Sequence, residues 1–391
     1  MRWQMLALLF FARIGLGFQF QTLASVGDNL VVAFGFDYAQ IGLLIGLFMA
    51  PGLFLALPAG FSGRFASDRI LAGMGLAALS VGGIVSGLGT DGLTIGLGRV
   101  IAGAGFLFAT LYFSKMIADW FEGREIATAM SILVMSWPFG IAMGQIGHTW
   151  LAQTFDWHTP FFVASAYCGV AALAVTTIYR PPNDQTSLKG SAKLSMKPQE
   201  WRLVVCAGIA WGVFNAGYVV YLAFAPNVLV SLGSSTLTAA SIVSFGSWIM
   251  IVSGTVCGLI ADRFGRRDLI LMICMTSAVV ALLLIQVPGA GIPASLLFGL
   301  LGMAPAGVIM ALIGQAVRAE NRAFGMGVFF TVYYAIMTAS PPIAGYLFDI
   351  RERADDPLVF GMALFAVVVP ASLIFRYFKS ATPAGPHQKS A

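Results

Sequence analysis

Apolar segments of about 20 to 29 residues recur along nearly the whole chain, parted by short charged, Pro-rich or Gly-rich breaks. A helical crossing of a bilayer needs about 20 predominantly apolar residues, so each segment has the length of one membrane span. They fall near 5–33, 39–60, 70–90, 92–114, 126–152, 159–179, 202–230, 236–260, 269–288, 292–317, 324–348 and 358–378, which makes twelve. Only 10% of residues are charged and mean hydropathy is +0.86, whereas soluble domains carry about a quarter charged residues. Twelve crossings take roughly 240 residues, which leaves no room for a large soluble domain in 391. The expected fold class is an all-α membrane protein whose twelve transmembrane helices form two six-helix pseudo-repeats.

The first apolar run begins directly after Met1 and Arg2 and passes residue 30 without a small-residue cleavage site, so it reads as a span and not as a signal peptide. Cys168, Cys206, Cys257 and Cys274 all sit in apolar runs and form neither a disulfide framework nor a metal-binding pair. The formal charge of +5 matters here through its distribution across the membrane, and nucleic acid is excluded as a partner. Cytoplasmic loops retain Lys and Arg. With the N-terminus inside, eighteen of the 22 basic residues face the cytoplasm, while Arg351 and Arg353 lie outside and Arg13 and Arg99 lie within spans. The expectation is a multi-pass protein of the cytoplasmic (inner) membrane, both termini cytoplasmic, acting as a monomer in the lipid bilayer.

The stretch from Arg180 to Trp201 contains Pro181, Pro182, Lys189, Lys193 and Lys197 between solidly apolar neighbours. It divides the chain into a bundle at 1–180, a cytoplasmic linker at 181–201, a second bundle at 202–380 and a tail at 381–391. The halves echo each other at an offset near 200: Gly60 to Phe65 with Leu259 to Phe264, Arg124 to Met130 with Arg322 to Met326, and Asp156 to Phe162 with Asp355 to Phe360. Internal duplication in a polytopic chain is the trace of a transporter with its substrate site between the repeats.

One loop carries a recognisable motif. Gly258-Leu259-Ile260-Ala261-Asp262-Arg263-Phe264-Gly265-Arg266-Arg267 resembles the signature G-x-x-x-D-R-x-G-R-R of the major facilitator superfamily. Glycine permits the tight turn, Asp262 suits a helix N-terminus, and the arginines hold the loop on the cytoplasmic side. In the first-half copy, Gly63 stands at the Asp position, Ala66 replaces the glycine, and Ser67 and Asp68 replace the paired basic residues. Its gate is therefore expected to lock differently, through Arg64 with Glu122 and Glu125. Arg99 with Gly103 and Gly105, Trp137 to Gly140 with Gly144, and Asp156 to Phe161 resemble further segments of the superfamily. The segment Trp120 to Ala127 is similar to its cyanate-permease-like and nitrate-porter-like members. The resemblance implies alternating access, with helices 1, 4, 7 and 10 lining the cavity. Asp262 is expected to engage the start of helix 11 or the loop from Arg318 to Arg322 when the inner side closes, with Gly258, Arg263, Gly265, Arg266 and Arg267 completing the gate.

Polar side chains inside hydrocarbon are costly and are functional candidates. The chain has no GK dipeptide for a nucleotide loop, no HExxH, and no catalytic constellation, so neither an enzyme nor a cofactor is expected. No acid lies mid-membrane, the deepest being Asp28. Arg13 and Arg99 thus stand without a carboxylate at their depth, which points to an anionic substrate. At about 100° per residue, Arg13, Gln21 and Asp28 share one face of helix 1, and Gln19 points elsewhere. Asn215, Tyr218 and Tyr221 on helix 7 and Tyr333 on helix 11 supply hydrogen bonds. The open alternatives are that Arg13 snorkels or bonds backbone carbonyls, that Arg99 packs against broken helix ends, and that the tyrosines only pack. His148 is a candidate proton site. The expected function is secondary active or facilitative transport, by alternating access, of a small inorganic or organic anion, with exchange as the leading form. Export of sugars or lipophilic compounds, and a transporter-shaped receptor without flux, are the alternatives.

Overall fold

The computed structural model describes residues 1–121, 125–182, 196–318 and 322–380, and all its elements are helical. Twelve helical spans are long and apolar enough to cross a membrane. Spans 1 to 6 are Arg2–Phe34, Tyr38–Ala56, Asp68–Gly87, Gly92–Phe121, Thr128–Thr154 and Thr159–Ile178. Spans 7 to 12 are Pro198–Ser231, Thr236–Ala261, Arg267–Leu284, Gly291–Ala316, Phe324–Arg351 and Asp356–Ser380. The seventh begins at Pro198, earlier than the sequence placed it. Proline suits a first helical turn, where its missing N–H is no loss, and Glu200 closes that turn by accepting from the Lys197 amide at 2.9 Å. An even number of crossings returns the chain to the side on which it started. That side is called here the terminus side, and the other the far side.

Several spans are broken, each for a local reason. Span 2 divides into Tyr38–Leu47 and Ala50–Phe61. Pro51 has no amide hydrogen, and the Phe48 and Met49 amides turn back to Ile45 and Gly46 at 3.3 and 2.8 Å, so the Leu44 carbonyl loses its helical donor. Span 10 runs as Gly291–Leu297, a π turn at Phe298–Gly302, and Ala306–Ala316. The hydroxyl of Ser253 donates to the Gly299 carbonyl at 2.6 Å inside that turn. Span 5 holds Pro138, and the carbonyl it strands is that of Val134.

Within the first half, span 1 packs on spans 5 and 6, and span 3 on spans 4 and 6; within the second, span 7 packs on spans 11 and 12. The halves meet through spans 2 and 11 and through spans 5 and 8. The first of these contacts is backbone on backbone. A Cβ at Gly42 would strike the Pro341 carbonyl, one at Gly46 the Thr338 carbonyl, and one at Gly345 the Tyr38 carbonyl. In lipid, helices associate through such small-residue contacts because apolar burial alone gives no driving force.

At the far end of this seam the first four amides of span 2 are all satisfied. Asp349 of span 11 accepts from Tyr38 and Ala39 at 2.9 and 2.7 Å. Asp37 accepts from the Gln40 amide at 2.7 Å, and its own carbonyl takes Ile41. A helix N-terminus carries partial positive charge and leaves four donors open, so a carboxylate from the other half is well placed there. Asp28 also ties the halves on the far side, accepting from Tyr38 Oη at 3.0 Å and Asn227 Nδ2 at 3.2 Å. On the terminus side the described ion pairs stay within one half: Arg2 with Glu125, Lys115 with Asp68 and Asp119, Arg318 with Glu200, and Arg376 with Asp268.

Candidate functional site

Arg13 and Gln21 do share a face of span 1, and that face packs on span 5. Arg13, 8% exposed, donates through Nη1 to the carbonyls of Leu133 and Val134 at 2.9 and 3.3 Å and to Ser136 Oγ at 3.1 Å. It therefore serves the very carbonyl that Pro138 strands. All its described bonds run through Nη1, and Nε has no partner. Gln21 donates to Gln145 Oε1 and to Ser25 Oγ, the latter at 3.3 Å. Gln19 points away, against Gly83 and Ser165. Asp28 belongs to the far-side tie, remote from both.

Arg99, 1% exposed, spends its guanidinium mostly on backbone. Nε donates to Leu44 at 3.3 Å, Nη1 to Gln19 at 3.2 Å and Nη2 to Phe20 at 3.2 Å, with Thr22 Oγ1 at 3.4 Å and the Phe48 ring 4.5 Å away. The break in span 2 frees the Leu44 carbonyl, and Arg99 takes it. Gly103, one turn on, lets span 4 approach so closely that a Cβ there would meet the Phe48 carbonyl. No acid pairs with either arginine among the described residues. His148 is fully buried, with Nε2 at 2.9 Å from the Phe18 carbonyl and its ring 4.1 Å from that of Phe18.

The second-half candidates are bonded among themselves. Tyr218 pairs with Ser247 at 2.7 Å, and Tyr221 with Ser295 at 2.8 Å while donating to the Val243 carbonyl at 3.3 Å. Phe298 of the π turn stacks on Tyr221 at 4.0 Å. Asn215 donates to the Trp211 carbonyl of its own helix at 2.8 Å. Tyr333 packs against Tyr334 at 4.9 Å and Trp211 at 6.5 Å. No described hydrogen bond joins Arg13, Gln21 or Arg99 to this second-half set. Ser136, Gln145, Ser247 and Ser295 escaped the sequence reading. Only Ser136 had a signal there, standing two residues before Pro138.

The Major Facilitator Superfamily is matched over residues 9–341. The chain belongs to that superfamily. It is 21% identical over 292 residues to the D-galactonate transporter of Escherichia coli O6:H1, covering 68% of each chain. Its fold resembles a bacterial homolog of the human lysosomal transporter Spinster, with a TM-score of 0.76, 17% identity and 97% of both chains covered. It also resembles the nucleoside transporter NupG, with a TM-score of 0.74, 14% identity and 97% and 99% covered. The chain is a transporter and not an enzyme.

The superfamily motif has a clear backbone role. Gly265 ends the helix of span 8 at φ +65°, with its amide 3.1 Å from the Ala261 carbonyl; that left-handed turn favours glycine. A Cβ at Gly258 would meet nothing within 4 Å, whereas one at Gly140 would strike the Ile14 carbonyl of span 1. Arg263 and Arg266 are exposed, and Arg267 opens span 9. The side chains of Arg64, Asp262 and Arg322, and all of Glu122, lie outside the described residues. Glu125, expected beside Arg64, pairs with Arg2 at 2.8 Å.

Proposed function

We propose that this superfamily member moves a small organic anion across the cytoplasmic membrane by alternating access, with 1–180 rocking against 202–380 and both termini cytoplasmic. The observation that carries the anion is the uneven use of two guanidinium groups buried without a carboxylate. Arg99 is consumed on three sides by carbonyls, whereas Arg13 commits only Nη1. The Nε–Nη2 edge of an arginine is planar and takes a carboxylate through two parallel bonds, and in Arg13 Nε is unspent. Arg13 is the proposed anion contact, with Gln21, Asn215, Tyr218, Tyr221 and Tyr333 completing the substrate path, and Arg99 fixes the helices around it. The similar protein of Escherichia coli is a D-galactonate transporter, which supports a sugar acid as the first solute to try. Asp262, with its glycine-capped loop, is the proposed lock of the cytoplasmic side.

The test is flux into liposomes holding purified protein, comparing D-galactonate with the neutral sugar galactose. The expected result is uptake of the acid alone, reduced at least about tenfold in Arg13→Lys, since lysine keeps the charge and loses the fork. Equal uptake of galactose, or full activity in Arg13→Lys, overturns the anion reading and favours export of neutral or lipophilic solutes. Binding of solute without any flux favours the receptor alternative. A reporter fused at Lys193 should prove cytoplasmic and one near Asp355 external.

A further inference from the structure

Tyr38 opens span 2 on the far side, and its amide, carbonyl, ring and hydroxyl are all engaged there. The amides of Tyr38 and Ala39 donate to the two oxygens of Asp349 at 2.9 and 2.7 Å. The Tyr38 hydroxyl donates to Asp28 Oδ1 at 3.0 Å, and the same oxygen accepts from Asn227 Nδ2 at 3.2 Å. The ring lies 3.9 Å from that of Phe348 and 6.4 Å from that of Phe224. The carbonyl abuts Gly345, where a Cβ would overlap it. Gly345, Phe348 and Asp349 belong to span 11, and Phe224 and Asn227 to span 7. One residue of the first half is thus tied to two helices of the second.

Asp349 stands two residues before the end of the span 11 helix, Arg322–Arg351. The C-terminal end of a helix carries partial negative charge and the N-terminal end partial positive charge. The carboxylate is therefore poorly placed in its own helix and well placed against the start of span 2. Its favourable partner is on the other half, so what it gains depends on the halves being together on this side. The contact also borders a cavity of about 640 Å³ on the far side, lined by Asp28, Tyr38, Asn227 and Phe348 among others. Water entering from that cavity can take over the hydrogen bonds when the halves part, which leaves the net cost of opening modest. A contact of this kind holds a closed state and still lets it go.

We propose that Asp349 on the start of span 2, together with the Tyr38 hydroxyl on Asp28, is the lock that keeps the far side closed, and that both ties part whenever the transporter opens to that side. The proposal rests on the alternating access put forward above. Closure then depends on one carboxylate that serves two amides of the opposite half. Asparagine at position 349 loses the charge and keeps one acceptor oxygen, so it should serve a single amide and release the far side more readily. The solute contacts assigned to Arg13 and its companions do not include Tyr38 or Asp349, so the lock sets the balance between states and not the choice of solute.

The experiment is double electron–electron resonance on the full chain in lipid nanodiscs, with the four native cysteines replaced and spin labels at Thr90 and Val287. These are exposed far-side residues, one in each half. The expected result is a mostly short separation, with the long-separation population raised about fivefold in Asp349→Asn, as loss of a carboxylate from a helix N-terminus predicts. A rise of about twofold is expected in Tyr38→Phe, which loses only the bond to Asp28. Asp355→Asn removes the same charge from the same side, but its carboxylate pairs with Arg353 inside the second half, and no change is expected. The proposal is overturned by an unchanged distribution in Asp349→Asn or in Tyr38→Phe, or by an equal rise in Asp355→Asn. If Asp349→Asn does not fold, Tyr38→Phe decides. Adding D-galactonate to the unaltered protein separates the two readings: if it moves the labels while Asp349→Asn does not, rocking stands and the lock fails, and if neither moves them, rocking fails too.

Discussion

The first half holds its broken helices with charged side chains, and the second half holds its own with neutral ones. Where span 2 and span 5 lose backbone donors, Arg99 and Arg13 supply them. Where span 10 loosens into a π turn, Ser253 covers a freed carbonyl, and paired hydroxyls of Tyr218 with Ser247 and Tyr221 with Ser295 bridge the neighbouring helices. A serine hydroxyl offers one donor at almost no cost of burial. A guanidinium offers five but brings a charge into hydrocarbon, at about 2.5–3.5 kcal/mol on insertion scales. The duplicated scaffold is thus braced by neutral groups in one half and by positive ones in the other.

Arg99→Lys should break the comparison hardest. It retains the buried charge and loses the fork that reaches Leu44, Gln19 and Phe20 together, so a loss of about 2–4 kcal/mol is expected. Thermal unfolding in detergent measures it, and an unchanged unfolding temperature would mean that the carbonyl clasp does not hold the span 2 break. Next comes Arg13→Met, expected to cost about 1–2 kcal/mol by stranding the Val134 carbonyl again. Adding Pro138→Ala restores an amide to that carbonyl and should recover about 1 kcal/mol. Stability regained without transport regained would separate the two roles of Arg13; regained transport would remove it from the substrate path.

A smaller effect is expected in the second half. Tyr218→Phe leaves one serine hydroxyl to find another acceptor, at about 0.6 kcal/mol, and Tyr218→Phe with Ser247→Ala should be nearly neutral. A cost as large as that of Arg99→Lys would erase the distinction between the halves.

The smallest effect lies outside the membrane, where the duplication reverses its habit. Asp156 is held below the usual carboxylate range chiefly by the Thr159 side chain and amide, whereas its echo Asp355 is held down chiefly by the Arg353 fork at 2.6 and 3.1 Å. A depressed carboxylate adds stability that is complete above its unfolded pKa and is lost as pH falls through the folded one. Both turns should therefore loosen on acidification, read as lower amide protection factors at Thr159 and Leu358. Added salt should raise the transition at Asp355 and leave that at Asp156 in place, because only the former rests on an ion pair.

The spans were legible because bilayer thickness fixes their length, and Gly265 because a left-handed cap favours glycine. Helical periodicity put Arg13 with Gln21 and turned Gln19 away. It could not say that the shared face would lie on span 5, since that depends on which helix is the neighbour. Pro138 did announce a stranded carbonyl four residues back, but its donor lies 121 positions earlier in the chain. The Asp349 contact is less legible still: its carboxylate caps a helix 310 positions away, and each residue alone reads as an ordinary loop-end acid or amide. The tyrosines were read as hydrogen-bonding groups, and the serines that occupy them looked like any small helix residue.

The glycines of the seam between spans 2 and 11 have a consequence for how such a chain can vary. At Gly42, Gly46 and Gly345 the neighbouring backbone already occupies the place of a first side-chain carbon, and every replacement is larger than what it replaces. These positions have no silent neighbours in the space of sequences, whereas the proposed solute contacts can be exchanged without touching the seam. A lineage carrying this fold is free to change its cargo long before it can change how the two halves meet.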